Sequence, residues 1–464
     1  MNQTLFFIIL FILAQLGIGF WASRFIRDSR DYMVASQSIS LGLAMFSLFA
    51  AWFGAETLMG TAAAVADNGL SVTRSDPFGY TVCLMLMGVM VAFQLRQRSY
   101  ITIGDFYRDR FSKRAEFFVT LVMLPTSLLW AATQLLAFGN ILSVVTHDTL
   151  AHGLPMATLV IIAYTFFGGL LGDMANDILR GSVLIFGLVL LLSFVVMEAG
   201  GFSEAVTSIE PSQLQMSMPH ETLWQKLDSW LVPILGSLVA QEALSRLLAT
   251  QSPAIARRAC FVGGSIYLVV GVIPVFIALV GTHFDFPRRS HDEFMPDLAR
   301  SVLPEGVFVI FVGALMSAIL STVQSTLLTF STLTANNLVF PYWKDAPESK
   351  KLLVNRGLVI VAGALGYVVA AHAPSINALA DLSSSFGSTG LLVTFFLGLW
   401  FARGSSRTAI ATLITGVVMS LVTGYFIQVQ APFLISIAAC LLVYAVGLVL
   451  DRKNPRAPSI AITQ

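Results

Sequence analysis

Between Ser317 and Thr334 the chain sets nine serine and threonine hydroxyls, several of them three or four residues apart. On a helix that spacing lines them up on one face. A strip of hard oxygens of this kind suits a small cation such as sodium, which needs several donors to replace its water. No carboxylate is required. The same residue types also bond back to their own helix carbonyls or glue helices together, so the residues alone support both uses.

Two other stretches carry ionisable groups inside apolar surroundings. One runs from Leu41 to Gly60 and holds three glycines, Trp52 and Glu56. The other runs from Ser229 to Arg246 and holds Pro233, Gly236, Glu242 and Arg246. Charged groups at membrane depth are costly and mark functional sites by default. Glu56 and Glu242 have three open uses: contact with a solute, pairing with Arg246, or facing a watery vestibule. Trp52 is a candidate wall of a solute pocket or a packing aromatic. There is no His-rich metal spacing, nucleophile elbow or phosphate loop. Cys83, Cys260 and Cys440 are scattered through apolar runs, with neither metal nor disulfide spacing.

The elements that must position these groups are membrane helices. The 464 residues are 56% hydrophobic and 11% charged, with a net charge of +1. A soluble domain is nearer a quarter charged, and nothing points to nucleic acid. Apolar runs between charged or Pro/Gly punctuation predict about thirteen transmembrane helices, near 4–23, 41–66, 77–95, 115–145, 154–171, 179–199, 229–248, 259–282, 306–335, 355–372, 376–402, 407–428 and 431–450. The first has no basic residue before it and no cleavage site after it, so it is a membrane helix and not a leader. With the N-terminus outside, 22 of the 27 Lys and Arg residues fall in inside segments. Only Arg74, Lys226, Arg288, Arg289 and Arg300 fall outside, so the positive-inside rule predicts a cytoplasmic C-terminus in a multi-pass cell-membrane protein. Outside segments 200–228 and 283–305, the latter with Asp285, Asp292, Glu293 and Asp297, are long enough for short surface helices. Inside, 104–111 alternates charge and aromatics, which fits an interfacial helix or a solvated linker.

Spans two and seven lie five apart and so enter from opposite sides. Paired Gly/Pro-interrupted spans in two inverted halves are the best sequence pointer to a transporter binding site, although packing glycines and a proline kink give the same letters. The chain divides into an N-terminal peripheral helix (1–30), a five-helix repeat (41–199), an extracellular loop (200–228), a second repeat (229–402) and two C-terminal helices with a short tail (403–464).

At these residues the sequence resembles the solute:sodium symporter family of sodium-coupled proline, sugar and choline carriers. The resemblance rests on 51–61 (Ala-Trp-Phe-Gly-Ala-Glu-Thr-Leu-Met-Gly-Thr), on Tyr164-Thr-Phe-Phe-Gly-Gly-Leu with Asp177, and on Ser321-Thr322. It implies an all-α, LeuT-like fold of two inverted five-helix repeats with broken first and sixth core helices. It implies a sodium ion held by the carbonyls of Ala50, Phe53 and Ala318 and the hydroxyls of Ser321 and Thr322. Asp177 would help the ion leave or anchor the inner end of its span; Arg180 stands where the family motif usually has glutamine. Gly60-Thr-Ala, Trp130-Ala-Ala and Leu227-Asp-Ser-Trp resemble the choline-carrier branch, which holds a quaternary ammonium in an aromatic cage. Trp52 and Trp130 match two cage positions. Ala240 replaces the third indole, Gln324 stands where that branch has a carboxylate, and Glu56 is a further departure. Trp52, Glu56, Trp130, Ala240, Gln241 and Gln324 are therefore the expected solute contacts. The implied function is sodium-coupled symport of a small polar or zwitterionic solute, with no enzymatic step. A proton-coupled carrier using Glu56 or Glu242, or a sensory module with a separate signalling partner, are the rival readings.

Overall fold

The computed structural model describes residues 3–146, 149–218, 220–288, 293–401 and 403–453, and among them the only extended pairing is one isolated parallel bridge between Ile39 and Thr250. Arg289, Asp292 and the tail beyond 453 lie outside the described residues. The chain opens with α1 (Gln3–Ser23) and α2 (Ser29–Val34). α3 (Leu41–Trp52) is followed by a π-helical turn (Glu56–Thr61) and α4 (Ala62–Asn68). Next come α5 (Tyr80–Met90), α6 (Ala92–Arg96), α7 (Ile103–Arg110), α8 (Lys113–Thr146) and α9 (Leu150–Glu198). α10 (Phe202–Ser208), α11 (Leu223–Leu231), α12 (Gln241–Leu248), α13 (Pro253–Gly281) and α14 (Phe294–Val302) follow. α15 (Glu305–Thr334), α16 (Glu348–Ala371), α17 (Ile376–Ser385), α18 (Ser388–Trp400), α19 (Ser406–Leu421) and α20 (Pro432–Lys453) complete it.

Each expected span falls on helix. Among the described residues, eight helices are long and apolar enough to cross a membrane, or ten if each of two bent pairs is one span. The other three expected spans coincide with α1, with the first part of α9 and with the α5–α6 pair, which are not among those ten. α9 is two helices in one. At Gly169 the backbone takes φ 53°, ψ −169°, and an added Cβ would stand 3.0 Å from the Tyr32 ring and 3.1 Å from its carbonyl. Only glycine meets both demands cheaply.

Both suspect spans are broken. Leu41–Trp52 and Glu56–Val72 bend by 54°, and Leu223–Val239 and Gln241–Leu248 by 43°. At the centre stands α15, where every residue from Ala314 to Leu333 is buried. A helix buried all round is a core helix, so its hydroxyls have no lipid-facing side to occupy. It packs against α9, α8 and α3. α19 and α20 pack together at the periphery. Segments 200–228 and 283–305 carry short helices among their described residues, α10 and the start of α11 in the first and α14 in the second.

Segment 104–111 departs from its surface reading. It forms α7, but Phe106 and Tyr107 are fully buried. The Tyr107 hydroxyl donates to the Leu391 carbonyl at 3.1 Å. Arg110 donates to the carbonyls of Gly398, Phe401, Arg403 and Gly404, the unpaired acceptors at and beyond the end of α18. The alternation that suggests an interfacial helix serves a docking role instead. Asp228, from the Leu227-Asp-Ser-Trp stretch, likewise accepts from the Phe433 and Leu434 amides at 3.4 and 2.8 Å and so caps the start of α20.

Candidate functional site

The first break is local chemistry. After Trp52 the residue Phe53 takes φ −84°, ψ 78°, which turns its carbonyl out of the helical line. The Gly54 amide then donates to the Trp52 carbonyl at 3.1 Å, so the Ala50 carbonyl loses the partner a continuous helix would supply. Gln134 of α8 props the break open. Its side-chain oxygen accepts from the Ala55 amide at 3.1 Å, and its nitrogen donates to Glu56 Oε2 at 2.9 Å. The Tyr267 hydroxyl of α13 donates to Asp76 at 3.0 Å and lies 3.3 Å from the Trp52 carbonyl.

The break faces the hydroxyls of α15. A side chain added at Gly54 would begin 2.9 Å from Thr322 Oγ1, 2.9 Å from Glu56 Oε2 and 3.0 Å from Gln134 Oε1. Ala50, Phe53, Ala318, Ser321 and Thr322 are all at least 98% buried. Thr322 donates to the Ala318 carbonyl at 3.2 Å, while Ser321 donates to Asp177 Oδ1 at 2.5 Å. Donating its proton leaves the Ser321 oxygen with lone pairs to offer. Other hydroxyls take the plainer use: Ser317, Thr326 and Thr334 bond back to the carbonyls of Gly313, Thr322 and Phe330.

Behind the hydroxyls lies a buried charge cluster. Arg246 of α12 donates to Asp173 at 2.8 Å, Asp177 at 3.2 Å, Ser325 at 2.7 Å and the Ser47 hydroxyl at 2.9 Å. Arg180 stands 3.5 Å from both Asp173 and Asp177 and donates to Gln324 at 2.8 Å and to Gln15 of α1 at 2.7 Å. Two carboxylates and two guanidinium groups, all at least 99% buried, thus offset one another. A buried charge persists only when paired and hydrogen-bonded. Asp177 is therefore an interior group, not an interfacial anchor.

Between the two breaks lies a cavity with about 70 Å³ of room for water, enough for several molecules or a small solute. Trp52, Glu56, Trp130, Ala240 and Gln241 line it, with Glu242. Gln241 also accepts from the Ile103 amide at 2.9 Å. Gln324 does not line it; it stands on the α9 side of α15 with Arg180. Residues 321, 324 and 325 share one helix face, and that face looks toward Asp177 and Arg246. Glu242 accepts from Ser127 at 3.1 Å, and its carboxylate is not the partner of Arg246.

Several residues of this region escape a sequence reading. Tyr80 lines the cavity with its ring 5.6 Å from Trp52, edge to face. Met123, Thr126, Ser383, Ser388 and Phe386 line it from α8 and around the α17–α18 break. Asp76, at the rim of the third span, is buried and accepts from Thr57 and Tyr267. Asp173 and Gln134 read as ordinary helix residues until folding brings up partners more than seventy positions away.

The comparisons agree with this geometry. The high-affinity choline transporter 1 of Drosophila melanogaster is 27% identical over 399 residues, spanning 81% of this chain and 63% of that protein. The sodium/pantothenate symporter of Escherichia coli (strain K12) is 24% identical over 452 residues, 92% of each. A solved Na+-coupled sialic acid symporter, substrate-bound and outward-open, matches with a TM-score of 0.85 at 18% identity, over 97% of this chain and 98% of that one; this is a likeness of fold. The sodium:solute symporter family model matches residues 32–416. With a membrane-helix bundle broken twice around a central cavity, and a family match over most of its length, the chain belongs to the sodium:solute symporter family.

Proposed function

We propose that this chain is a sodium-coupled symporter of a small polar solute, a carrier with no chemical step. The observation that carries the reading is the meeting of the Phe53–Gly54 break with the buried hydroxyls of α15. Sodium is held by the carbonyls of Ala50, Phe53 and Ala318 with the Ser321 and Thr322 hydroxyls. It ties the broken helix to α15 and so shapes the solute cavity beside Trp52, Glu56, Trp130, Ala240 and Gln241. The halves then rock about that point and release both ligands on the other side. The N-terminus is outside and the C-terminus cytoplasmic, as the placing of Lys and Arg supports.

The energetics close with one ion. A charge crossing about 100 mV supplies roughly 2.3 kcal/mol. A tenfold sodium gradient adds about 1.4 kcal/mol. A drive of roughly 3.7 kcal/mol holds an uncharged solute several hundredfold more concentrated inside.

Uptake into proteoliposomes, with and without an imposed sodium gradient, tests this. Ser321→Ala with Thr322→Ala is expected to raise the sodium needed for half-maximal uptake by about tenfold or more, since each hydroxyl contributes on the order of 1 kcal/mol. Uptake indifferent to sodium and to that pair of substitutions overturns the proposal. A proton-coupled reading has one observation in its favour: Glu56 Oε1 is buried without a hydrogen-bond partner. Uptake driven by a pH gradient and abolished in Glu56→Gln would establish it.

A further inference from the structure

The cavity is electrically one-sided. Among the described residues that line it, the charged ones are two carboxylates, Glu56 and Glu242, with no Lys, Arg or His. Arg246, one turn along α12 from Glu242, donates to the Glu242 backbone carbonyl and commits its charge to Asp173 and Asp177. The indoles of Trp52 and Trp130 and the Tyr80 ring supply aromatic surface beside the carboxylates. Ring faces and carboxylates share one preference, a positive charge.

Glu56 narrows the class further. The residue is 95% buried, Oε2 accepts from Gln134 at 2.9 Å, and Oε1 has no hydrogen-bond partner. Asp76 nearby shows the contrast, with Thr57 and Tyr267 donating to its two oxygens. A buried acceptor left unpaired is costly, and a carboxylate oxygen is satisfied only by a donor. Glu242 accepts from Ser127 and lies in the first turn of α12, where the helix favours negative charge. The two carboxylates belong to the two broken helices, so a cation between them touches both moving parts.

We propose that the solute is an organic cation bearing N–H donors, a protonated amine or a guanidinium, whose N–H completes Glu56 Oε1 and whose charge lies among Glu56, Glu242 and the aromatic rings. A quaternary ammonium group satisfies the charge and the rings but has no N–H to give Glu56, and the hydroxyl of choline is shared by every member of the ethanolamine series. This rests on the reading of the chain as a sodium-coupled carrier and specifies what it carries.

A methylation series on one skeleton separates the terms: ethanolamine, its N-methyl and N,N-dimethyl forms, and choline, with agmatine and putrescine alongside. Binding to the purified full chain is measured by calorimetry, in sodium and in potassium. The amine with most N–H groups is expected to bind best, and choline at least about tenfold more weakly. Glu56→Gln is expected to cost the amine at least about tenfold while leaving choline within about threefold, and Glu56→Asp to retain the ranking. Choline binding as tightly as ethanolamine overturns the proposal, as does binding by none of these compounds; neither needs a variant to fold. Amine binding of equal strength in both salts supports the cation assignment while overturning the coupling. Sodium-dependent uptake of a neutral or anionic solute, with no amine bound, does the reverse.

Discussion

Replacing Gly54 by alanine would place a methyl group 2.9 Å from Thr322 Oγ1 and from Glu56 Oε2. Room for those oxygens to give way is small, because Gln134 donates to Glu56 and the surrounding helices bury Thr322 completely. Overpacking of this sort costs roughly 1–3 kcal/mol, so Gly54→Ala is expected to weaken sodium binding by about ten- to a hundredfold. Sodium titration of a thermal shift, with Gly424→Ala as a control that meets nothing, checks this. An unchanged titration would mean that the break and the α15 hydroxyls do not share an ion. At this scale the sequence was partly legible. The Gly-Ala-Glu run after Trp52 and the crowding of hydroxyls are visible as letters, because both violate what a lipid-facing helix allows. What Ser321 does with its proton is not, since its partner Asp177 is 144 positions away. Gln324 shows the other failure: a one-position match says nothing of which helix face the residue occupies.

At the scale of elements, Arg246 is where four of them meet, drawing α12 to α3 through Ser47, to α9 through Asp173 and Asp177, and to α15 through Ser325. Removing one side of a buried pair costs about 3–5 kcal/mol. Arg246→Gln should therefore lower the unfolding midpoint clearly, and adding Asp173→Asn should recover part of the loss by removing an uncompensated charge; additive losses would show that the pair is not coupled. Farther from the centre, buried Arg74 donates to Glu221 at 2.6 Å and to the Met216 carbonyl at 3.0 Å, pinning the segment before α11 to the turn before α5. The Arg74 hydrogen bond holds the Glu221 carboxyl below its ordinary range. A depressed carboxyl contributes stability that is full above its unfolded value and is lost as pH falls through the folded one. The protection of this segment against hydrogen exchange, measured relative to the intrinsic rate at each pH, is thus expected to fall as pH drops below the usual carboxylate range, and Glu221→Gln to flatten that dependence. None of these ties could be read from composition. The broken helices could, because glycine, proline and charge interrupt an apolar run, whereas α7 could not: its charge–aromatic alternation fits a membrane surface and a buried dock equally until the ends of α18 are known.

For the molecule as a whole, the three native thiols, Cys83, Cys260 and Cys440, are all buried, which leaves a quiet background for mapping sidedness. Lys226→Cys should react with an impermeant thiol reagent from outside, and Lys350→Cys only after permeabilisation; the reverse pattern would invert the proposed orientation. Where the long apolar helices lie was legible in the sequence, since hydrocarbon thickness sets a length that the letters must honour. The role of α1 was not. It read as a peripheral helix, yet its Gln15 receives a hydrogen bond from fully buried Arg180, and Gly19 lies within 4 Å of where Gly168 and Gly172 would bear side chains. A guanidinium facing that seam would meet acyl chains if α1 were cut away. Anyone trimming this protein to its repeats should therefore expect the loss of a structural stopper: the apparent appendage seals the outer side of a buried charge cluster, and neutralising Arg180 alone would leave Asp173 and Asp177 with a single guanidinium between them.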